Sequence, residues 1–70
     1  MIDYKNGCIL IEYLNKRNIL VKSIVVDSET GEILYSEPSK NGVRSPTIKS
    51  VFDGIKSGKY KGCFKHNYIE

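Results

Sequence analysis

The side chains of this chain that could do chemistry fall into three groups, and the first two are weak. His66 is the single histidine, and the nearest carboxylate on its C-terminal side is Glu70. An isolated imidazole near a chain end lacks both the second titrating group and the orienting partner that acid–base catalysis needs. Asp27, Glu29 and Glu32 lie close together, but around a glycine-containing turn, where acidic side chains serve turn hydrogen bonds and solvation. The third group is a run of cations: Lys40, Arg44, Lys49, Lys56, Lys59, Lys61 and Lys65. Asp53 alone opposes it between residues 40 and 66, so that segment carries +6. Residues 1–39 hold four basic and six acidic groups, a balance of −2, and Glu70 brings the chain to +3. One half of the molecule is acidic and the other strongly basic, a pattern suited to binding an anion.

No phosphate loop, nucleophile elbow or paired metal-ligand motif accompanies these groups. The sequence therefore predicts no catalytic residue, no metal site and no cofactor. Cys8 and Cys63 are far apart, with no Cys-x-x-Cys spacing. Their number permits one disulfide, but two reduced, largely buried thiols in a cytoplasmic protein fit better. Met1 to Tyr4 has no basic segment leading into an apolar one, and the longest wholly apolar run, residues 8–11, is far too short to span a membrane.

These side chains must be positioned by very little protein. Seventy residues, 40% hydrophobic and 27% charged, make one domain whose core barely exceeds its chain entropy. A self-contained cleft that excludes water from a reaction is hard to build at this size, so a non-enzymatic binding module is expected. Alanine, the best helix former, is absent, whereas Ile and Lys occur nine times each; the content of Ile, Val, Thr, Tyr and Phe favours strands.

Along the chain, Asn6-Gly7 is a hairpin dipeptide that pairs residues 2–5 with residues 8–13 as strands. A helix over residues 8–17 competes for that stretch, because Leu10, Tyr13, Leu14 and Arg17 also fall at helical spacing. A polar turn at residues 15–18 precedes the strongest strand, residues 19–26. Asp27 to Gly31 forms a second turn, residues 32–35 return, and residues 36–45 read as a ten-residue loop.

Ser45 and Pro46 are helix-start residues, Ile48, Val51, Phe52 and Ile55 make an apolar stripe at i, i+3, i+4 and i+7, and Gly58 is a C-terminal stop. The helix is predicted over residues 46–57, with Gly54 marking a close approach to the sheet. Residues 59–68 alternate as a last strand. The fold class is α+β: an antiparallel sheet of four or five strands with one amphipathic helix on one face, its stripe buried against Ile24, Val26 and Ile33.

In this arrangement Lys49, Asp53 and Lys56 point away from the apolar stripe into solvent. Arg44, Lys49, Lys56, Lys59, Lys61 and Lys65 are the expected phosphate contacts, with Tyr60 as a stacking platform and free N–H groups at the helix start adding to the anion site. Nucleic acid is the leading partner.

Val26-Asp27, Thr30-Gly31, Ser36, Gly42-Val43, Thr47-Ile48 and Lys59-Tyr60-Lys61-Gly62 resemble the modular DNA-binding domains of intron-encoded nucleases, the NUMOD type. The resemblance implies a short helix led by Ser36. It also places residues 44–49 at the turn and recognition-helix start of a helix-turn-helix-like unit that enters a groove of duplex DNA. The chain departs from that pattern at Pro38, Lys40 and Asn41, where the family's first helix is apolar, and residues 1–24 lie outside the match. The chain is also similar to small proteins of bacteriophages and mobile elements, which implies an alternative partner: a host or defence protein that it binds and inhibits. Its acidic edge, Asp27, Glu29, Glu32 and Glu37, or its basic half would then meet a complementary protein surface. Pairing of edge strands into a homodimer is a further way for so small a domain to gain core.

Overall fold

The computed structural model describes residues 7–69. Strands β1 (Cys8–Leu14), β2 (Leu20–Asp27) and β3 (Ile33–Pro38), helix α1 (Pro46–Ser57) and strand β4 (Gly62–Tyr68) follow one another. The strands form one sheet in the order β3-β2-β1-β4, and the α+β class with a single packed helix holds. β1 is a strand, not the competing helix. The strand expected over residues 2–5 lies outside the described residues.

Local chemistry accounts for the two hairpins. Asn15 Oδ1 accepts the backbone N–H groups of Arg17 at 2.8 Å and Ile19 at 3.1 Å, which closes the β1–β2 turn. Asp27 Oδ1 accepts those of Glu29 at 2.7 Å and Thr30 at 3.0 Å. Gly31, at φ 76°, takes the left-handed position that closes this second turn.

β1 and β2 are antiparallel, as are β2 and β3, but β4 runs parallel to β1. The sheet is thus mixed rather than antiparallel throughout. The reason is the helix itself: β3 runs in the same direction as β1, and α1 carries the chain across the sheet to the far edge. A helical crossover is the connection that parallel strands require.

The helix has the bounds its caps dictate. Ser45 Oγ accepts the Ile48 N–H at 3.2 Å, Pro46 sits in the first turn, and Gly58 at φ 84° donates its N–H to the Ile55 carbonyl. The Ser45 hydroxyl also donates to the Glu37 carboxylate, which ties the helix start to β3. Residues 36–38 extend β3, and a bridge between Lys40 and Val43 shapes the remaining loop. The Ser36-led helix implied by the resemblance is therefore not formed.

Ile48 and Val51 bury against Cys8, Leu10 and Val25, with Phe52, Ile55 and Phe64 around them. This corrects the expected core. Ile24 and Val26 pair with Ile11 and Ile9 on the face away from the helix, and Ile33 is 60% exposed. Ile24-Val25-Val26 is apolar at both parities, so its pattern cannot set its own face. Pairing of Val25 with the buried Leu10 sets it, and a slip of one residue exchanges the faces.

Among the described residues, no helix is long and apolar enough to cross a membrane.

Candidate nucleic-acid interface

The exposed arc of α1 carries Lys49, Asp53 and Lys56 at spacings of four and three residues, which stacks them on one side of the helix. Half-buried Phe52 lies beside this arc. Its ring centre is 4.0 Å from the Arg44 guanidinium carbon, 5.3 Å from the Lys56 ammonium and 4.8 Å from the centre of the Phe64 ring. Beyond the helix end, the Lys59 ammonium sits 5.6 Å from the centre of the Tyr60 ring. The cationic and aromatic side chains are thus interleaved.

Arg44 is held from two sides, and its partner was not foreseen. Glu12 projects from β1 onto the helix-facing side of the sheet and is 1% exposed. Its Oε2 accepts Arg44 Nε at 2.6 Å and its Oε1 accepts Nη2 at 3.0 Å; His66 Nε2 is 2.9 Å from the same Oε1. Burial pushes the Glu12 carboxyl upward, but the hydrogen bonds and charges of Arg44 and His66 outweigh it and hold the group below its ordinary value. The same hydrogen bond raises Arg44 against its own burial. Arg44 is therefore not an unencumbered phosphate ligand: two of its donor nitrogens are committed to Glu12, while its side chain stays 36% exposed. The sequence did contain a sign of Glu12, because it shares strand parity with Cys8 and Leu10. His66 follows from the same register, lying opposite Glu12 on β4.

The other predicted residues divide between surfaces. Lys49, Lys56 and Lys59 are exposed on or just beyond the helix. Lys61 is exposed at the approach to β4, where its carbonyl accepts the Cys8 N–H at 2.8 Å. Lys65 pairs with Ile11 and so points from the opposite sheet face, away from the helix. Tyr60 is half-buried against the core cluster, its ring seated over Gly54, so one face of the expected stacking platform is covered. The close approach marked by Gly54 is thus to Tyr60 rather than to a strand. Cys63, expected to be buried, is exposed, because the register places it opposite Ile9 while Cys8 faces the helix. Both thiols are free.

A groove of about 690 Å³ opens where the end of β1, the start of β2, residues 41–44 and the first turns of α1 meet. Arg44, Lys49 and His66 line it together with the carboxylates of Glu12 and Asp53. Among the described residues, no group of three His, Cys, Asp or Glu side chains could hold a metal.

Fold and site together define a small mixed-sheet α+β domain with a lysine-bearing helix beside a groove, and a buried carboxylate anchoring an arginine at that groove. No family model, curated protein or solved structure matches the chain.

Proposed function

We propose that this protein is a small non-enzymatic module that binds nucleic acid through its basic C-terminal half. One observation carries the reading: Lys40, Lys49, Lys56, Lys59, Lys61 and Lys65 make no ion pair among the described residues, whose salt bridges are those of Arg44 and His66 with Glu12. Lysines that neutralise no carboxylate of their own remain available to phosphates, and displacement of counterions makes such binding favourable.

The test is titration into labelled single-stranded and duplex oligonucleotides at two salt concentrations, read by fluorescence anisotropy. Binding should weaken steeply with salt. Lys49→Glu combined with Lys56→Glu should abolish it while barely moving the melting temperature, because both side chains are exposed. Unchanged affinity in that variant would overturn the reading.

A second reading, inhibition of a host or defence protein, is favoured by the other sheet face. Ile9, Ile11, Ile24 and Val26 lie side by side there, and α1, the helix of the described residues, covers the opposite face. Recovery of one protein from lysate after nuclease treatment, lost on Ile11→Lys, would support this partner.

A further inference from the structure

The proposal that follows rests on the nucleic-acid reading and specifies the form of the ligand. We propose that the groove beside Arg44 seats one unstacked nucleotide of a single strand, with its phosphate at Arg44, Lys49 and His66 and its base against Ile19 and Val43.

The first observation is an apolar wall inside a cationic site. Ile19 is 43% exposed and Val43 65% exposed, and both line the groove. In a protein with so small a core, two large aliphatic side chains left in water beside Lys49 and the Glu12-held Arg44 form a surface that a base can cover and a bare phosphate cannot. The loop is fitted against that wall: a Cβ at Gly42 would approach Ile19 Cγ2 to 2.8 Å.

The second observation is preorganisation. Arg44 is fixed by Glu12 below and by the Phe52 ring at 4.0 Å, so little side-chain freedom remains to be lost when an anion arrives. Burying a carboxylate is costly, and here it fixes an arginine and a histidine side by side at a groove. Asn18 and Asn41 add amide groups to the lining, each offering both a donor and an acceptor to the edge of a base.

The third observation concerns the choice between strand forms. Asp53 lines the groove as well as the helix arc, so its carboxylate opposes phosphates of either form and the distinction rests on shape. A concave apolar wall is reached only by a base that has left its stack, which costs least in a single strand. One unstacked nucleotide leaves the rest of the strand free to follow Lys56 and Lys59.

The experiment compares the wild-type chain with Val43→Ser, with the double variant Ile19→Ser/Val43→Ser, and with Lys56→Glu/Lys59→Glu. Anisotropy is measured on a labelled ten-nucleotide single strand, on the matching duplex, and with adenosine 5′-monophosphate as competitor. Melting temperatures identify any variant that fails to fold, and Val43→Ser, at an exposed site, secures the test if the double variant does fail. The proposal expects the wild type to prefer the single strand. The serine variants should lose about tenfold on that strand, from the apolar area no longer covered, with duplex binding held within about twofold. The glutamate variant should weaken both ligands. Equal losses on both ligands in the serine variants, or none, would overturn the groove assignment and leave nucleic-acid binding standing. So would competition by the mononucleotide at the strand's own affinity, which would make a free nucleotide the occupant. If the wild type bound neither oligonucleotide, the reading under Proposed function would fall, and the groove assignment with it.

Discussion

Glu12 holds Arg44 and His66 at the groove, and its effects separate into charge and position. Removing the charge while keeping the polarity, in Glu12→Gln, leaves Arg44 and His66 without their anion. Both can turn to solvent, so the cost should be about 2 kcal/mol, below the range for a fully buried pair. Glu12→Leu strands the same two partners but buries no unsatisfied amide, so it should cost about 1 kcal/mol less than the glutamine variant. Urea unfolding of the two variants decides this; a leucine variant as damaged as the glutamine one would mean that the carboxylate holds the sheet itself together. The pH dependence has a definite sign. Because the folded carboxyl lies below its ordinary value, its stabilisation is present above the unfolded value of about 4.3 and is lost as pH falls through the folded one. An acid titration of stability should show that loss in the wild type and lack it in Glu12→Leu.

The thiols make a second residue-scale case. Burial, then the neighbouring Cys63, pushes Cys8 upward, which keeps it a protonated, sheltered thiol, whereas Cys63 is exposed. Iodoacetamide should therefore label one cysteine in the native protein and two in denaturant, and labelling of both at equal rates would contradict the burial of Cys8. Ser23 Oγ is buried with no hydrogen-bond partner among the described residues. Ser23→Ala should accordingly be neutral or stabilising, by about 1 kcal/mol, in the same unfolding experiment.

At the scale of elements, helix α1 depends on what sits over Gly54. Alanine there would gain about 1 kcal/mol of helix propensity, but its methyl group would occupy the space of the Tyr60 ring. Gly54→Ala should therefore destabilise by about 1–2 kcal/mol through overpacking, and should become stabilising in a Tyr60→Ala background. A double-mutant cycle measures that coupling directly; a stabilising Gly54→Ala in the wild type would show that the ring is not seated there. Phe52 is half-buried between Phe64 and two cations, so Phe52→Ala should cost about 2–3 kcal/mol, less than a fully buried phenylalanine.

These elements differ in how far the sequence announces them. The helix bounds were legible to the residue because Ser45, Pro46 and Gly58 each satisfy or omit a particular terminal hydrogen bond. Asp27 and Gly31 announced their turn in the same local way. The face of β2 and the partner of β4 were not legible. Three consecutive aliphatic residues fit either face, and the neighbour of a last strand depends on how far the crossover travels, which no short window of sequence encodes. Glu12 lies between these cases: its parity with Cys8 and Leu10 was visible, while its partners, Arg44 and His66, are brought to it only by the loop and by β4.

For the whole molecule, the question is how a net charge of only +3 could support binding to a polyanion. The answer lies in distribution rather than total. The crossover gathers Lys49, Lys56 and Lys59 on and after one helix, while Asp27, Glu29 and Glu32 remain around the turn that joins β2 to β3. Arg44 is paired with Glu12 and adds little net charge, and Lys65 lies on the other sheet face. Of the proposed phosphate contacts, Lys49, Lys56, Lys59 and Lys61 remain as unpaired cations. For a single strand, each neutralised phosphate contributes about −0.7 to the slope of log K against log salt, so the wild-type slope should be near about −3. Lys56→Glu/Lys59→Glu removes two of these four contacts and should bring the slope to about −1.4, whereas Lys65→Glu should leave it unchanged. Anisotropy titrations between about 20 and 200 mM salt distinguish these outcomes. A slope that responded equally to Lys65 would mean that the strand wraps both faces of the sheet, and that the helix ridge has no privileged part in holding it.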